Sequence, residues 1–258
     1  MFTKHIINCS SNIFDELQNA TIYEPVINGR SGAIIVKLSN ENIPLVRTTT
    51  VYQNPAQEFK PIHDNIIQKI QNVAVVNNDN IQFNNALVEI YNNKYTKMAY
   101  HTDQTLDLSD NSYICLFTCY NTLNQMDKTN FRYLCIKNKE TNEETEILLE
   151  HSSIILFTTE TNKKFLHKII CKNTNINNNC LDQKWLGITF RLSKTYIKFI
   201  NELAYFANDN NQPLLTFATD DEKKLFYIYK KLENSEINYC YLPITFTISK
   251  SDLMKIQN

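Results

Sequence analysis

Apolar residues recur along the chain in two rhythms, and the rhythm changes twice. In the first stretch, Ser10 or Ser11 can cap a short helix running through Leu17 and Gln18, and residues 33–38 read as a strand. Ile62, Ile66, Ile67 and Ile70 fall at helical spacing behind Pro61, so residues 61–73 read as a helix with proline in its first turn. From Phe83 to Ser193 the spacing shortens. Residues 86–91, 113–119, 131–137, 145–149, 153–158, 164–171 and 184–193 are rich in β-branched and aromatic side chains, with Asn, Asp, Thr and Lys between them, which marks short strands. The Asn-rich residues 77–80 and 173–179 read as loops. After Thr195 helical spacing returns over residues 196–206. Thr219-x-x-Glu222 forms a capping-box signature ahead of Leu225, Phe226, Ile228, Tyr229 and Leu232. Residues 241–248 read as one more strand and residues 251–256 as a final helical turn.

Strands in succession with no helix between them predict an antiparallel sandwich or barrel rather than alternating βαβ units. The expected class is α+β and β-rich, with N-terminal helices and a mostly helical C-terminal extension. A chain of 258 residues that is 43% hydrophobic can bury one core, with room for a small addition. Lys and Arg (26) balance Asp and Glu (27), so broad electrostatic coating of duplex nucleic acid is not expected. Only three Gly are present, and they are not clustered, which excludes the usual phosphate-cradling loops. The seven Cys are scattered without a Cys-x-x-Cys pair, as expected of reduced thiols in a cytoplasmic or nuclear compartment. Apolar runs such as residues 154–157 are too short to span a bilayer, and residues 1–17 lack the apolar region of a secretory signal. Asn makes up roughly one residue in seven, a bias expected from AT-rich coding, as in some protists and large viruses.

Candidate chemistry gathers on few residues. His101 and Asp103 stand two apart on an extended segment, so their side chains point the same way and can take neighbouring positions around one metal. A third ligand from another strand would complete a facial triad with open positions, which suits ferrous iron. His167, inside a strand, is the best third ligand, with His151 behind it. His5 and His63 lie outside the strand region and carry no role. Strand alternation puts Trp185, Gly187, Thr189 and Arg191 on one face. An inward Arg191 calls for an anion, and a dicarboxylate would supply one. Gly187 hints at a close approach to the backbone.

The order of these signals resembles the double-stranded β-helix (jelly-roll) of the Fe(II)/2-oxoglutarate dioxygenases, and more narrowly their AlkB-like branch. The resemblance spans about residues 10 to 195. It rests on Pro44-Leu-Val-Arg47 followed by Tyr52, on Phe83-Asn84-x-x-Leu87-x-Glu89-x-Tyr91, on His101-x-Asp103, on residues 148–167 leading to His167, and on Ile-Thr-Phe-Arg191. It implies iron held by His101, Asp103 and His167, with O2 and 2-oxoglutarate as co-substrates and the latter's carboxylates held by Arg191 and the Tyr91 hydroxyl. Residues 1–195 would form the oxygenase domain and residues 196–258 an extension packed on it. Three departures stand out. Glu89 takes the place of the family's Asn, and Trp185 that of an Arg six residues before the last. The loop at residues 173–179 is longer than usual. Lys184, beside Trp185, faces the opposite way unless a bulge turns it in, and Glu89 could pair with Arg191.

The implied activity is hydroxylation or oxidative demethylation, most simply of an N-methyl group on a nucleic-acid base flipped into the pocket. Arg47 to Tyr52 would form the outer substrate loop, with Tyr52, Tyr100 and Tyr91 placed to stack on the base. A protein or small-molecule hydroxylase of the same fold is one alternative. A degenerate β-helix that only binds a partner is another, motivated by Glu89 and Trp185.

Overall fold

A computed structural model describes residues 1–75, 81–96, 98–122, 131–172, 183–207 and 211–256. The loops expected at residues 77–80 and 173–179 lie outside these. The chain opens with β1 (Thr3–Ile6), α1 (Ile13–Ala20), β2 (Glu24–Ile27), β3 (Arg30–Val36), β4 (Ile43–Leu45), β5 (Gln57–Glu58) and α2 (Pro61–Val75). The strand-rich stretch holds β6 (Asn85–Asn92), β7 (Tyr113–Tyr120), β8 (Arg132–Asn138), β9 (Glu144–Leu149), β10 (Ser153–Thr158), a short α3 (Thr159–Lys164), β11 (Phe165–Cys171) and β12 (Lys184–Arg191). Then come β13 (Thr195–Ile200), β14 (Leu203–Phe206), β15 (Thr216–Phe217), α4 (Asp220–Ser235), β16 (Phe246–Thr247) and a 3-10 turn at Lys250–Leu253.

The main sheet runs β1-β10-β7-β12-β6-β3-β2, with β5 added in parallel to β3; its other pairings are antiparallel. A second antiparallel sheet, β11-β8-β9, faces it. Strand alternation sorts the side chains. On β7, Ile114 and Leu116 point between the sheets, where they meet Leu134, Ile136 and Ile169. Cys115, Phe117 and Cys119 point the other way, onto Phe14 and Leu17 of α1 and Ile66 and Ile70 of α2. Both faces of β7 and β12 are thus covered, which explains why these strands read as nearly continuous apolar runs. The result is a jelly-roll-like core with two helices on its outer face.

Three expectations need correction. Helix α1 begins after Asn12 with no side-chain cap; Ser10 instead donates through Oγ to Glu16 Oε1 at 2.6 Å. Residues 196–206 form the β13–β14 hairpin, not a helix, and β13 also pairs with β4. The turn is Asn201-Glu202, with φ of 49° and 67°, the two left-handed residues that a tight hairpin with matched twist requires. The C-terminal extension is therefore as much strand and loop as helix, since only Phe246–Thr247 of residues 241–248 is extended into a strand. The capping box at Thr219 and Glu222 is present and starts α4.

Candidate active site

Two backbone hydrogen bonds bring the distant histidines together. His101 N donates to His167 O at 3.0 Å and His167 N donates to His101 O at 2.7 Å. Residues that exchange both bonds across an antiparallel bridge put their side chains on one face, and the two imidazole centroids lie 4.7 Å apart. Asp103 follows on the same side. One ligand atom from each of His101, Asp103 and His167 lies within 4.8 Å of the others. Nδ1 of His101 contacts Ala99 O at 3.0 Å. A carbonyl can only accept, so in the neutral ring that burial favours Nδ1 carries the proton and Nε2 keeps its lone pair.

The ligand segment is clasped from two sides. From α3, Asn162 Oδ1 accepts from Asp103 N and Asn162 Nδ2 donates to Asp103 O, both at 2.8 Å. From α4, Asn234 Oδ1 accepts from Thr102 N and Oγ1, Lys230 Nζ donates to Thr102 O at 2.6 Å, and Glu233 accepts from Thr105 N at 2.7 Å. Asn162 is fully buried, and its amide satisfies both buried backbone groups of Asp103. The extension thus holds the segment that carries two of the candidate ligands.

Burial and neighbouring charges keep all three donor groups deprotonated. Burial alone would raise the Asp103 carboxyl, but the Arg191 guanidinium beside it, then His167, hold it well below the usual carboxylate range. Burial, followed by the neighbouring His101, pushes His167 down to about 3. Desolvation also lowers His101. Two neutral imidazoles and one carboxylate are the donor set of a facial ferrous site, so the residues fit iron.

The triad opens on a cavity of about 250 Å³ walled by Leu87, Leu116, Leu134 and Ile169. Arg191 lines it, with Nε donating to Asp103 Oδ2 at 3.1 Å. No described residue accepts from its terminal nitrogens. Glu89 does not pair with Arg191, as the sequence allowed. It binds Arg30, whose Nε donates to Oε1 at 2.6 Å, and Tyr91, whose hydroxyl donates to Oε2 at 2.7 Å. Close approach at Gly187 comes from within the chain. The Trp185 indole folds over it, so that an added Cβ would lie 2.0 Å from the ring, and Nε1 donates to Thr118 Oγ1 at 2.7 Å.

The expected substrate residues are placed elsewhere. Arg47 is buried against Asp107, and its guanidinium also donates to the carbonyls of Ile244 and Phe246, so it anchors the extension. Tyr52 is 1% exposed, with its hydroxyl packed against Gly32, so it cannot stack on a substrate. Tyr100 lies outside the cavity lining, with Lys168 Nζ 4.0 Å over its ring. Lys184 stays outside the cavity, because its register opposite Asn92 is regular and no bulge turns it in. His151 accepts from Tyr120 N at a turn, away from the triad. Sequence reasoning missed Arg30, Gln104, Asn162 and Lys230. Arg30 had a signal, since Asn28-Gly29 before it marks a hairpin. Gln104 lines the cavity at 4% exposure, and neither atom of its amide has a hydrogen-bond partner among the described residues. A larger cavity of about 760 Å³ lies between the core and the extension, and none of the three candidate ligands lines it.

Comparison with known proteins adds three findings. The sequence model of the 2OG-Fe(II) oxygenase superfamily matches residues 36–191. A solved structure described as "The structure of OsALKBH1" aligns with a TM-score of 0.48 at 12% identity, covering 74% of this chain and 97% of that one. No curated protein matches the sequence. Among the described residues no helix is long and apolar enough to cross a membrane.

Proposed function

Because the chain belongs to the 2OG-Fe(II) oxygenase superfamily, we propose that it is an AlkB-like dioxygenase acting on the N-methyl group of a nucleic-acid base, with iron held by His101, Asp103 and His167. The observation that carries the ligand assignment is the convergence of these three side chains, 66 residues apart at the histidines, on one cavity beside Arg191. Fe(II) and 2-oxoglutarate are the cofactor and co-substrate of the family. Together they activate O2 for insertion into a C–H bond, and a hydroxylated N-methyl group leaves as formaldehyde.

The chain's own residues supply the geometry. Arg191 holds Oδ2 of Asp103 and leaves Oδ1 turned toward His167 Nε2, 3.8 Å away. Its terminal nitrogens can take a carboxylate of the co-substrate. Leu87, Leu116, Leu134 and Ile169 supply the apolar part of the cavity wall. Gln104 brings a free amide donor and acceptor, the complement of the paired donor and acceptor on an adenine edge. We assign residues 1–195 to the oxygenase domain and residues 196–258 to an extension that steadies the ligand segment through Lys230, Glu233 and Asn234.

The test is incubation with Fe(II), 2-oxoglutarate and single-stranded oligonucleotides carrying N-methylated adenine or cytosine. Formaldehyde released in step with succinate is the expected result. Succinate without formaldehyde from any methylated base would overturn the substrate reading and turn the search to a protein or small-molecule substrate.

A further inference from the structure

The cavity has two polar ends separated by apolar walls. At one end stand His101, Asp103, His167 and Arg191. At the other stand Arg30, Glu89, Tyr91 and Thr50. Strand register explains the second end. Arg30 of β3 and Trp185 of β12 both lie opposite Tyr91 of β6, one on each side, so all three share one row across the sheet. Arg191 lies opposite Asn85, six residues along β6, or roughly 20 Å of strand. At position 185 the indole is committed to Thr118 and to the Tyr91 ring, 4.7 Å away, and carries no charge. The cation of that row comes instead from β3, two strands over.

Arg30 is paired but lines the cavity. Its Nε donates to Glu89 and one terminal nitrogen reaches Thr50 Oγ1 at 3.3 Å and also pairs with Glu89. The buried Tyr52 hydroxyl also lies beside the Arg30 guanidinium, and Glu89 is the one carboxylate it meets among the described residues. The guanidinium lies 5.9 Å from the Tyr91 ring centroid and 5.8 Å from that of Tyr95, within cation–π range of both. The remaining cations of the cavity are tied to the metal end. Arg191 binds Asp103, and Lys230 binds Thr102 and Glu233.

We infer that Arg30 receives the far carboxylate of the dicarboxylate co-substrate, and that Glu89 is an internal carboxylate competing with it for the same guanidinium. The inference rests on the oxygenase reading above and names a residue at its co-substrate site. A cavity with apolar walls and cations at separate rows fits a short dianion, and a cavity-lining guanidinium whose other neighbours are neutral hydroxyls fits its second carboxylate. Glu89 sets the opposite sign. While it holds Arg30, an incoming carboxylate meets a partly neutralised cation, so removing the charge at 89 should tighten binding.

Equilibrium titration of 2-oxoglutarate into the anaerobic Fe(II)-loaded protein tests this, with oxalate as the second probe because it can engage only the metal end. Glu89→Gln should tighten 2-oxoglutarate several-fold and leave oxalate unchanged. Arg30→Met would leave Glu89 buried without its partner, so the double variant R30M/E89Q keeps the fold in balance. It should weaken 2-oxoglutarate ten-fold or more and bind oxalate as the parent does. A double variant that binds 2-oxoglutarate with parental affinity, or an E89Q protein that binds it more weakly, overturns the inference while the oxygenase reading stands. A parent that binds neither sinks both readings.

Discussion

Arg47 with Asp107 and Arg30 with Glu89 are both buried arginine–carboxylate pairs, yet they commit the guanidinium to different extents. Every nitrogen of the Arg47 guanidinium is engaged: Nε and one terminal nitrogen on Asp107, the other on the carbonyls of Ile244 and Phe246. The pair is 4% and 0% exposed. Arg30 and Glu89 are 14% and 10% exposed and line the cavity, and beyond Glu89 the guanidinium meets only the neutral hydroxyls of Thr50 and Tyr52. A fully spent guanidinium holds a fold together, and one with capacity facing a void can hold a ligand. Sequence position points the other way, because Arg47 stands in a segment resembling a substrate loop and Arg30 does not.

The largest effect should come from breaking the spent pair. Arg47→Met strands Asp107 in the interior and frees two carbonyls of the extension, and is expected to cost about 3–5 kcal/mol in chemical denaturation. Its relative affinity for 2-oxoglutarate and oxalate should not change under conditions where it folds. A loss of stability no larger than that of a surface substitution would remove the contrast between the two pairs.

Asn162→Ala sharpens the comparison at the metal end. It removes two buried hydrogen bonds to Asp103, at about 2 kcal/mol. Because Asp103 is a proposed ligand, Fe(II) affinity should fall several-fold with stability, whereas Arg47→Met should lower stability alone. Iron affinity that is unaltered in Asn162→Ala would mean that the clasp does not position the carboxylate.

A comparable effect, confined to low pH, is expected at His63, a buried imidazole outside both pairs. Burial pushes it down to about 4, while an unfolded chain takes up the proton near ~6.5. Between these values the unfolded state binds more protons, so stability is full above pH ~6.5 and falls as the pH drops. The loss should reach about 2 kcal/mol at pH 5. Denaturation midpoints at pH 7 and pH 5 check this, and His63→Gln should flatten the difference. A parent protein equally stable at both values would contradict it.

Much of the architecture was legible in the sequence. Strands 113–120, 153–158 and 184–191 are covered on both faces, so their apolar character is strong, and the Thr219 capping box writes its helix start in two residues. The His101, Asp103 and His167 convergence was legible because a two-residue spacing on an extended chain fixes a shared face. Tyr196 to Phe206 was misread because a hairpin with both strands apolar imitates helical spacing. Its signal was the Asn-Glu turn, used also at Asn40-Glu41 with the same φ values, in a chain too poor in glycine for Asn-Gly turns everywhere. Arg47 and Tyr52 were misjudged because burial by the C-terminal extension depends on contacts nearly 200 residues apart, which no local pattern records. Arg30 was invisible for a related reason, since its role depends on a cross-strand row.

The most direct measurement is anaerobic Fe(II) titration of the parent protein beside Asp103→Ala and His167→Ala, with folding checked by circular dichroism. One tight Fe(II) site in the parent, lost in both folded variants, is the result expected of two imidazoles and a carboxylate sharing one ion. Folded variants that bind Fe(II) as the parent does would show that these side chains do not hold the metal.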